Sequence, residues 1–381
     1  MHIGFVTGEY PPMEGGVGAY TRELARALVA RGHQVSVFTR AAAAQANEPD
    51  IQIAAQIAGH WGWKTSKAVQ AWVKVRKPDI INIQFQTAAY DMHPAIHWLP
   101  SGIKRPPVVV TFHDLRVPYL FPRAGSVREW IVRKLAHDAN GVISTDRADL
   151  RKIRDGWQIN RAVWIPIGSN VRPSLPAEYE RSQWRATLGI QPDDLLVSYF
   201  GFLNESKGGL VLVEALGILR DMGIPASLLM VGGRAGDSDP SNLAYAERVD
   251  ALIDSLNLAA YVHWTGFIDD STVSGHLLAS DITALPYLDG VSLRRGTLMA
   301  ALAHGRAVVT TTAQSEIPEL ATALEMVPPG DPYALASAIV DVWKSPARRT
   351  AMEQHALEAA RSFDWDSIAT RTLEFFQALQ P

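Results

Sequence analysis

The apolar and polar positions of this 381-residue chain fall into two recurring patterns. Short apolar runs rich in β-branched residues read as buried strands. They alternate with longer stretches whose apolar residues recur at helical spacing. In the first half, strands are expected at 2–7, 34–39, 51–54, 79–85, 108–112, 141–144 and 162–167. Helices are expected at 20–30, with Leu24, Ala27 and Leu28 on one face, and at 64–76, 126–139 and 147–156. The stretch 171–191 is polar and flanked by prolines, so it reads as a linker with a connecting helix. The alternation then restarts, with strands at 195–200, 227–231, 262–265, 281–285, 308–311 and 325–327. The helices between them fall at 209–222, 243–257, 271–279, 298–304 and 332–342, and terminal helices at 352–361 and 366–379. Alternating strands and helices imply parallel sheets covered by helices, hence two α/β Rossmann-like domains.

The stretch 281–312 shows how such a domain places chemistry. An apolar strand ending at Tyr287 is followed by a loop, 288–295, then by the apolar helical segment 296–304, then by a second strand. Gly305 is suited to end that helix in a left-handed turn. The loop leaves the carboxyl end of a strand, where open α/β sheets bind ligands. It carries Asp289, Gly290, Ser292, Arg294, Arg295 and Gly296, with Thr297 opening the helix. Two arginines, a hydroxyl and glycines at a helix N-terminus suit a phosphate.

Composition narrows the picture. The chain is 47% hydrophobic and 20% charged, which fits a globular protein long enough for two cores. A net charge of -3 provides no basic field for nucleic acid. The absence of cysteine excludes disulfides and thiolate metal sites. The N-terminal residues enter a strand at once, so no signal peptide is expected, and no apolar run reaches the ~18 residues of a membrane span. A cytoplasmic location is the expectation. The stretch from Arg116 to Lys134 mixes Arg116, Arg123, Arg128, Arg133 and Lys134 with Tyr119, Leu120, Phe121 and Trp130. It reads as an amphipathic surface helix, with an acceptor or a peripheral contact at the inner membrane face as the alternative.

Three further groups lie at strand ends. Gly15, Gly16 and Gly18 follow the first strand and can expose helix N–H groups to an anion, although Thr21 replaces the last glycine of a dinucleotide fingerprint. His113-Asp114 follows the strand 108–112, where a histidine can donate to a sugar hydroxyl or move a proton. Lys207 sits among glycines at 201–208, at a helix start suited to a diphosphate.

With these stretches in hand, the chain resembles the retaining, nucleotide-sugar-dependent glycosyltransferases of family four, which have the GT-B fold. The matching stretches run through most of the chain: 12–18 with 24–37, THR-PHE-HIS-ASP at 111–114, 165–168, 201–208, 305–309, 327–332 and the closing 363–369. The resemblance implies two Rossmann-like αβα domains facing across a cleft, with a last helix that crosses back to the N-terminal domain. The domains would be 1–172 with 365–381 on the acceptor side, and 173–364 on the donor side. It implies a nucleotide-diphosphate sugar as co-substrate, no metal or other cofactor, and a carbohydrate, lipid-linked or small-molecule acceptor. By the same resemblance His113 is the active-site histidine that contacts the donor sugar and Lys207 grips the donor phosphates. Gly16 and Gly18 would line the cleft. The chain also departs from the family. The two glutamates expected in the central stretch are Ser292 and Ala300 here, and the phosphate-binding arginine is Phe202. Arg294 and Arg295 are therefore expected to supply the displaced charge. A non-catalytic sugar-nucleotide-binding homologue and a nucleotide-sugar epimerase stay open as other readings.

Overall fold

The computed structural model describes residues 1–13, 15–115, 126–169, 171–234 and 240–380. The chain divides into two units, Met1–Gly168 with Trp365–Pro381, and Ser169–Asp364.

In the first unit the strands are β1 (His2–Thr7), β2 (Gln34–Arg40), β3 (Ile51–Ile57), β4 (Ile80–Phe85), β5 (Val108–Phe112), β6 (Gly141–Ser144) and β7 (Ala162–Trp164). The helices between them are α1 (Gly16–Ala30), α2 (Trp63–Arg76), α3 (Leu99–Gly102), α4 (Ser126–Asp138) and α5 (Arg147–Arg151). The sheet order is β3-β2-β1-β4-β5-β6-β7, and every pairing is parallel. Ile3 is paired with Val35 on one side and Ile80 on the other, which fixes the register around β1. Alternate residues of each strand feed different cores. Ile3, Phe5, Ile80 and Val109 join the core under α1, while Val6, Ile81, Ile83, Val108 and Val110 join the core under α2 and α4.

The second unit holds α6 (Arg181–Thr187), β8 (Leu195–Phe200), α7 (Gly209–Asp221), β9 (Ala226–Val231), α8 (Pro240–Ser255), β10 (Val262–Trp264) and α9 (Asp270–Ala279). It continues with β11 (Ile282–Leu285), α10 (Gly296–Ala303), β12 (Val308–Thr311), β13 (Leu324–Val327), α11 (Pro332–Trp343) and α12 (Pro346–Ala360). Its sheet order is β10-β9-β8-β11-β12-β13, again parallel throughout.

The last helix, α13 (Trp365–Gln377), belongs to the first unit. Trp365, Ile368, Ala369, Leu373 and Phe376 are buried there beside Leu24 and Leu28 of α1. Arg31 Nη1 donates to Asp366 Oδ1 at 2.8 Å and its Nη2 to Thr370 Oγ1 at 2.6 Å, which fastens the outer edge of the helix.

Two local expectations change. The first helix, expected from residue 20, begins at Gly16, so Gly16 and Gly18 lie in its first turn. Residues 88–102, to which the sequence pattern assigns no element, form short 3₁₀ turns and α3. No described helix is long and apolar enough to cross a membrane.

Candidate functional site

In each sheet the strand order reverses once, between β1 and β4 and between β8 and β11. Loops on either side of such a reversal diverge and leave a crevice at the carboxyl edge. The candidate residues of each unit lie at or next to these edges.

In the second unit the loop after β8 turns at Gly201 (φ 115) and again at Gly208 (φ 71). Gly208 has no substitute, because a Cβ there would run into the carbonyl oxygen of Pro286 just beyond β11. That approach lets the backbone N–H of Leu288 donate to the Ser206 carbonyl at 2.8 Å, so the two loops are stitched together. Asn204 caps the intervening turn by accepting from the Lys207 N–H at 3.2 Å. The Lys207 ammonium folds back and donates to the Phe202 carbonyl at 2.8 Å. It lies 3.1 Å from the position a Cβ on Gly201 would take, with the Thr297 methyl 2.7 Å from the same position. Lys207, Gly201 and Thr297 are therefore one cluster. Tyr287 joins it by bonding its hydroxyl to Thr297 Oγ1 at 2.7 Å, and the Arg295 guanidinium lies over the Tyr287 ring at 4.5 Å. Arg295 precedes the first turn of α10 and is ion-paired with Asp289. Burial, and then the charge of Arg295, push the Lys207 pKa down to about 8.

Ser292, Arg294 and Gly296 are half-buried in the same loop, and the Ser292 carbonyl accepts from the Arg295 N–H at 3.2 Å. Ala300 is fully buried in α10, so position 300 faces the core. Two more turns converge on this edge. Gly232 (φ 113) follows β9 and bridges to Gly266 (φ 66) after β10, and Phe267 next to it is 79% exposed. Neither was expected, since single glycines after strands give no pattern to read.

In the first unit the N-terminus of α1 already holds a carboxylate. Glu9 Oε1 accepts from the backbone N–H groups of Val17 and Gly18 at 2.9 and 3.1 Å. Burial raises the Glu9 pKa, and the two N–H donors offset part of that rise. A Cβ on Gly15 would push this carboxylate aside, and one on Gly18 would press on the Tyr10 backbone at 3.1 Å. These two glycines thus have packing reasons. Gly16 differs: no described atom lies within 4 Å of the position its Cβ would take.

His113 stands just past β5, half-buried, with the Tyr20 ring edge-on at 4.7 Å and Trp365 beyond Tyr20 at 5.2 Å. Its Nε2 is 2.8 Å from Gln84 Oε1. Burial pushes its pKa down to about 3, so the ring is neutral at ordinary pH.

Of the mixed basic and aromatic stretch, Arg116, Tyr119, Leu120, Phe121 and Arg123 lie outside the described residues. Trp130 of α4 is 55% exposed and touches Trp98 at 6.5 Å, which touches the exposed Trp63 at 5.6 Å. Lys134 Nζ sits 5.6 Å from the centre of the Trp98 ring.

Two parallel Rossmann-like sheets with glycine-turned loops and a cationic cluster at a switch point define a GT-B type of protein. The chain belongs to the group 1 glycosyltransferases: residues 15–168 match the glycosyl transferase 4-like domain, and 194–345 match glycosyl transferases group 1. It is 25% identical to a phosphatidyl-myo-inositol mannosyltransferase of Mycolicibacterium smegmatis, over 100% of this chain and 94% of that one. It is 24% identical to a D-inositol 3-phosphate glycosyltransferase of Kineococcus radiotolerans, over 95% and 90%. Its fold matches that of the Anabaena protein HepE in complex with UDP, with a TM-score of 0.77, 19% identity and coverage of 99% and 100%.

The cluster predicts one lysine of unusual basicity. With isotope-labelled lysine, NMR should show a single side chain titrating near 8, and that transition should vanish in Lys207→Arg. Titration of every lysine near the ordinary value of about 10.4 would show that the Lys207 ammonium is not desolvated.

Proposed function

We propose that this chain is a retaining, metal-independent glycosyltransferase that moves a sugar from a nucleotide-diphosphate donor to a hydroxyl of an inositol-phosphate acceptor, free or lipid-linked. The observation that carries the reading is the cluster of Lys207, Arg295, Thr297 and the α10 N-terminus around Gly201. In the transfer the bond between the sugar's anomeric carbon and the leaving oxygen breaks, and its electron pair stays on the diphosphate. Two cations, a hydroxyl and a helix N-terminus suit that developing charge. The acceptor hydroxyl bonds the anomeric carbon on the face the diphosphate leaves, and its proton passes to the diphosphate. Ser292, Arg294 and Gly296 border the phosphate position, Gly16 and Gly18 are assigned to the acceptor side, and His113 is assigned to the reacting sugar. The names of the two inositol-directed relatives support the acceptor class.

The test is the full chain with UDP-, GDP- and ADP-sugars against inositol phosphates and phosphatidylinositol vesicles, with and without EDTA. The expected product keeps the donor's anomeric configuration and forms equally with EDTA. Conversion of donor without acceptor would indicate an epimerase, and tight binding without turnover a non-catalytic homologue; either overturns the proposal.

Arg295 is the arginine assigned to the phosphate, since its charge already reaches Lys207. Arg295→Ala should weaken UDP binding by ~1.5–3 kcal/mol, with a much smaller effect for Arg294→Ala. Uridine affinity should stay unchanged; an equal loss for uridine and UDP would remove Arg295 from the phosphate position.

A lipid acceptor also calls for contact with a bilayer. Trp63, Trp98 and Trp130 present aromatic surface beside Lys64, Lys67, Arg133 and Lys134, a combination suited to anionic headgroups. The protein should co-sediment with phosphatidylglycerol vesicles at about 0.1 M salt, and Trp63→Ala with Trp130→Ala should abolish this. Wild-type protein that stays in the supernatant would rule the contact out.

A further inference from the structure

β4 is buried along its whole length, yet two of its residues, Asn82 and Gln84, are polar and fully buried. They point to the same side of the sheet as Ile80, the side covered by α1. Thr111 of β5 is buried on that side as well, and His113 follows it in the same alternation. Together these residues form one continuous line of hydrogen bonds running from the sheet interior to its carboxyl edge.

The line has a direction. It starts at the carbonyl of Val109, which can only accept, and Asn82 Nδ2 faces it at 3.4 Å. The same Nδ2 is 2.9 Å from Thr111 Oγ1. With its amide nitrogen turned that way, Asn82 presents Oδ1 to Gln84, whose Nε2 donates to it. Gln84 then presents Oε1 to His113 Nε2 at 2.8 Å. An amide oxygen only accepts, so the imidazole must donate, and its proton resides on Nε2. Reversing the line would set Asn82 Oδ1 against the Val109 carbonyl at 3.4 Å, one buried acceptor facing another, whereas the Thr111 hydroxyl can serve either sense.

A neutral imidazole carries one N–H. With that proton on Nε2, the Nδ1 nitrogen is an acceptor, and it has no hydrogen-bond partner among the described residues. The edge-on Tyr20 ring, backed by Trp365, opposes rotation of the imidazole. Thr145 Oγ1 adds a hydrogen bond to the His113 carbonyl at 3.2 Å, and the His113 N–H donates to Phe85 at 3.1 Å. Ring, backbone and tautomer are thus all determined before any ligand arrives.

We propose that Gln84 and Asn82 are positioning residues that hold His113 in the neutral Nε2–H tautomer, so that its Nδ1 accepts a hydrogen bond from a sugar hydroxyl. The inference rests on assigning His113 to the reacting sugar, while the tautomer itself depends only on the protein. It differs from the roles expected from the sequence, where the histidine donates to a sugar hydroxyl or moves a proton. It also explains why polar residues stand in a fully buried strand: they carry a choice made by a backbone carbonyl out to the sheet edge. A group that can only accept, such as a carbonyl or a carboxylate, would be rejected at Nδ1, whereas a hydroxyl is welcome.

The test is nitrogen NMR of isotope-labelled histidine in the full chain, with the His113 signals assigned through His113→Gln. The wild type should show a protonated Nε2 and an unprotonated Nδ1, unchanged between about pH 6 and about pH 8. Gln84→Met, which removes the acceptor, should move both nitrogens toward averaged shifts as the tautomers mix. Gln84→Glu should instead bring a proton to Nδ1 at neutral pH. A wild-type proton on Nδ1 overturns the proposal, as do unchanged His113 shifts in folded Gln84→Met. Where a donor sugar is turned over, Gln84→Met should lower kcat roughly tenfold, with the KM for the donor little changed. Loss confined to KM would overturn the positioning role. If no donor is turned over, the transferase reading fails while the NMR result still decides the tautomer.

Discussion

All strands of each sheet run parallel, and that one constraint decides where the chemistry of each unit can be. Parallel strands need a crossover connection between them, most often a helix, so every strand of a sheet delivers its carboxyl end to the same edge. Where the strand order reverses, two neighbouring loops must diverge. In the second unit the loops after β8 and β11 would drift apart at that point. The Gly208 backbone instead lies against the Pro286 carbonyl, and the Leu288 N–H bonds to Ser206. This pairing of loops brings a lysine from one and an arginine from the other within electrostatic reach, and it is the reason the Lys207 pKa responds to Arg295.

The framework was legible because buried parallel strands are apolar on both faces and announce themselves as runs such as Val108–Phe112. The helix α10 was legible for the same reason, and Gly305 (φ 58) ends it in the left-handed turn its position suggested. The loops that carry His113, Lys207 and Arg295 could be located because chemistry at strand ends follows from topology. Their partners could not. Glu9 reaches α1 across a loop whose path no local pattern specifies, and Asp289 meets Arg295 only because the loop folds back on itself. Asn82 and Gln84 interrupt an otherwise apolar strand, and periodicity alone cannot say whether such residues are paired within the core. The start of α1 was misplaced because glycines at 15, 16 and 18 look like a loop, although the first of them makes room for a carboxylate that stabilises the helix.

The two edges treat charge differently. At α1 the N-terminal N–H groups are occupied by the chain's own Glu9, so an incoming anion there would have to compete with a carboxylate already in place. At α10 the nearby carboxylate, Asp289, is bound to Arg295, and the helix N-terminus lies beside Thr297 and Lys207. Of the two helix starts, α10 is therefore the one whose surroundings favour a multiply charged anion.

Asp289 also bears on the state of Arg295. A guanidinium packed on an aromatic ring and withdrawn from water needs a counter-charge, or it suffers a large desolvation penalty. Asp289 supplies that charge and holds Arg295 over Tyr287, whose hydroxyl is tied to Thr297. The residues at positions 202 and 300 add no charge to this cluster. Position 300 is sealed inside the unit, and position 202 contributes its backbone carbonyl, the acceptor that holds Lys207 in the cluster.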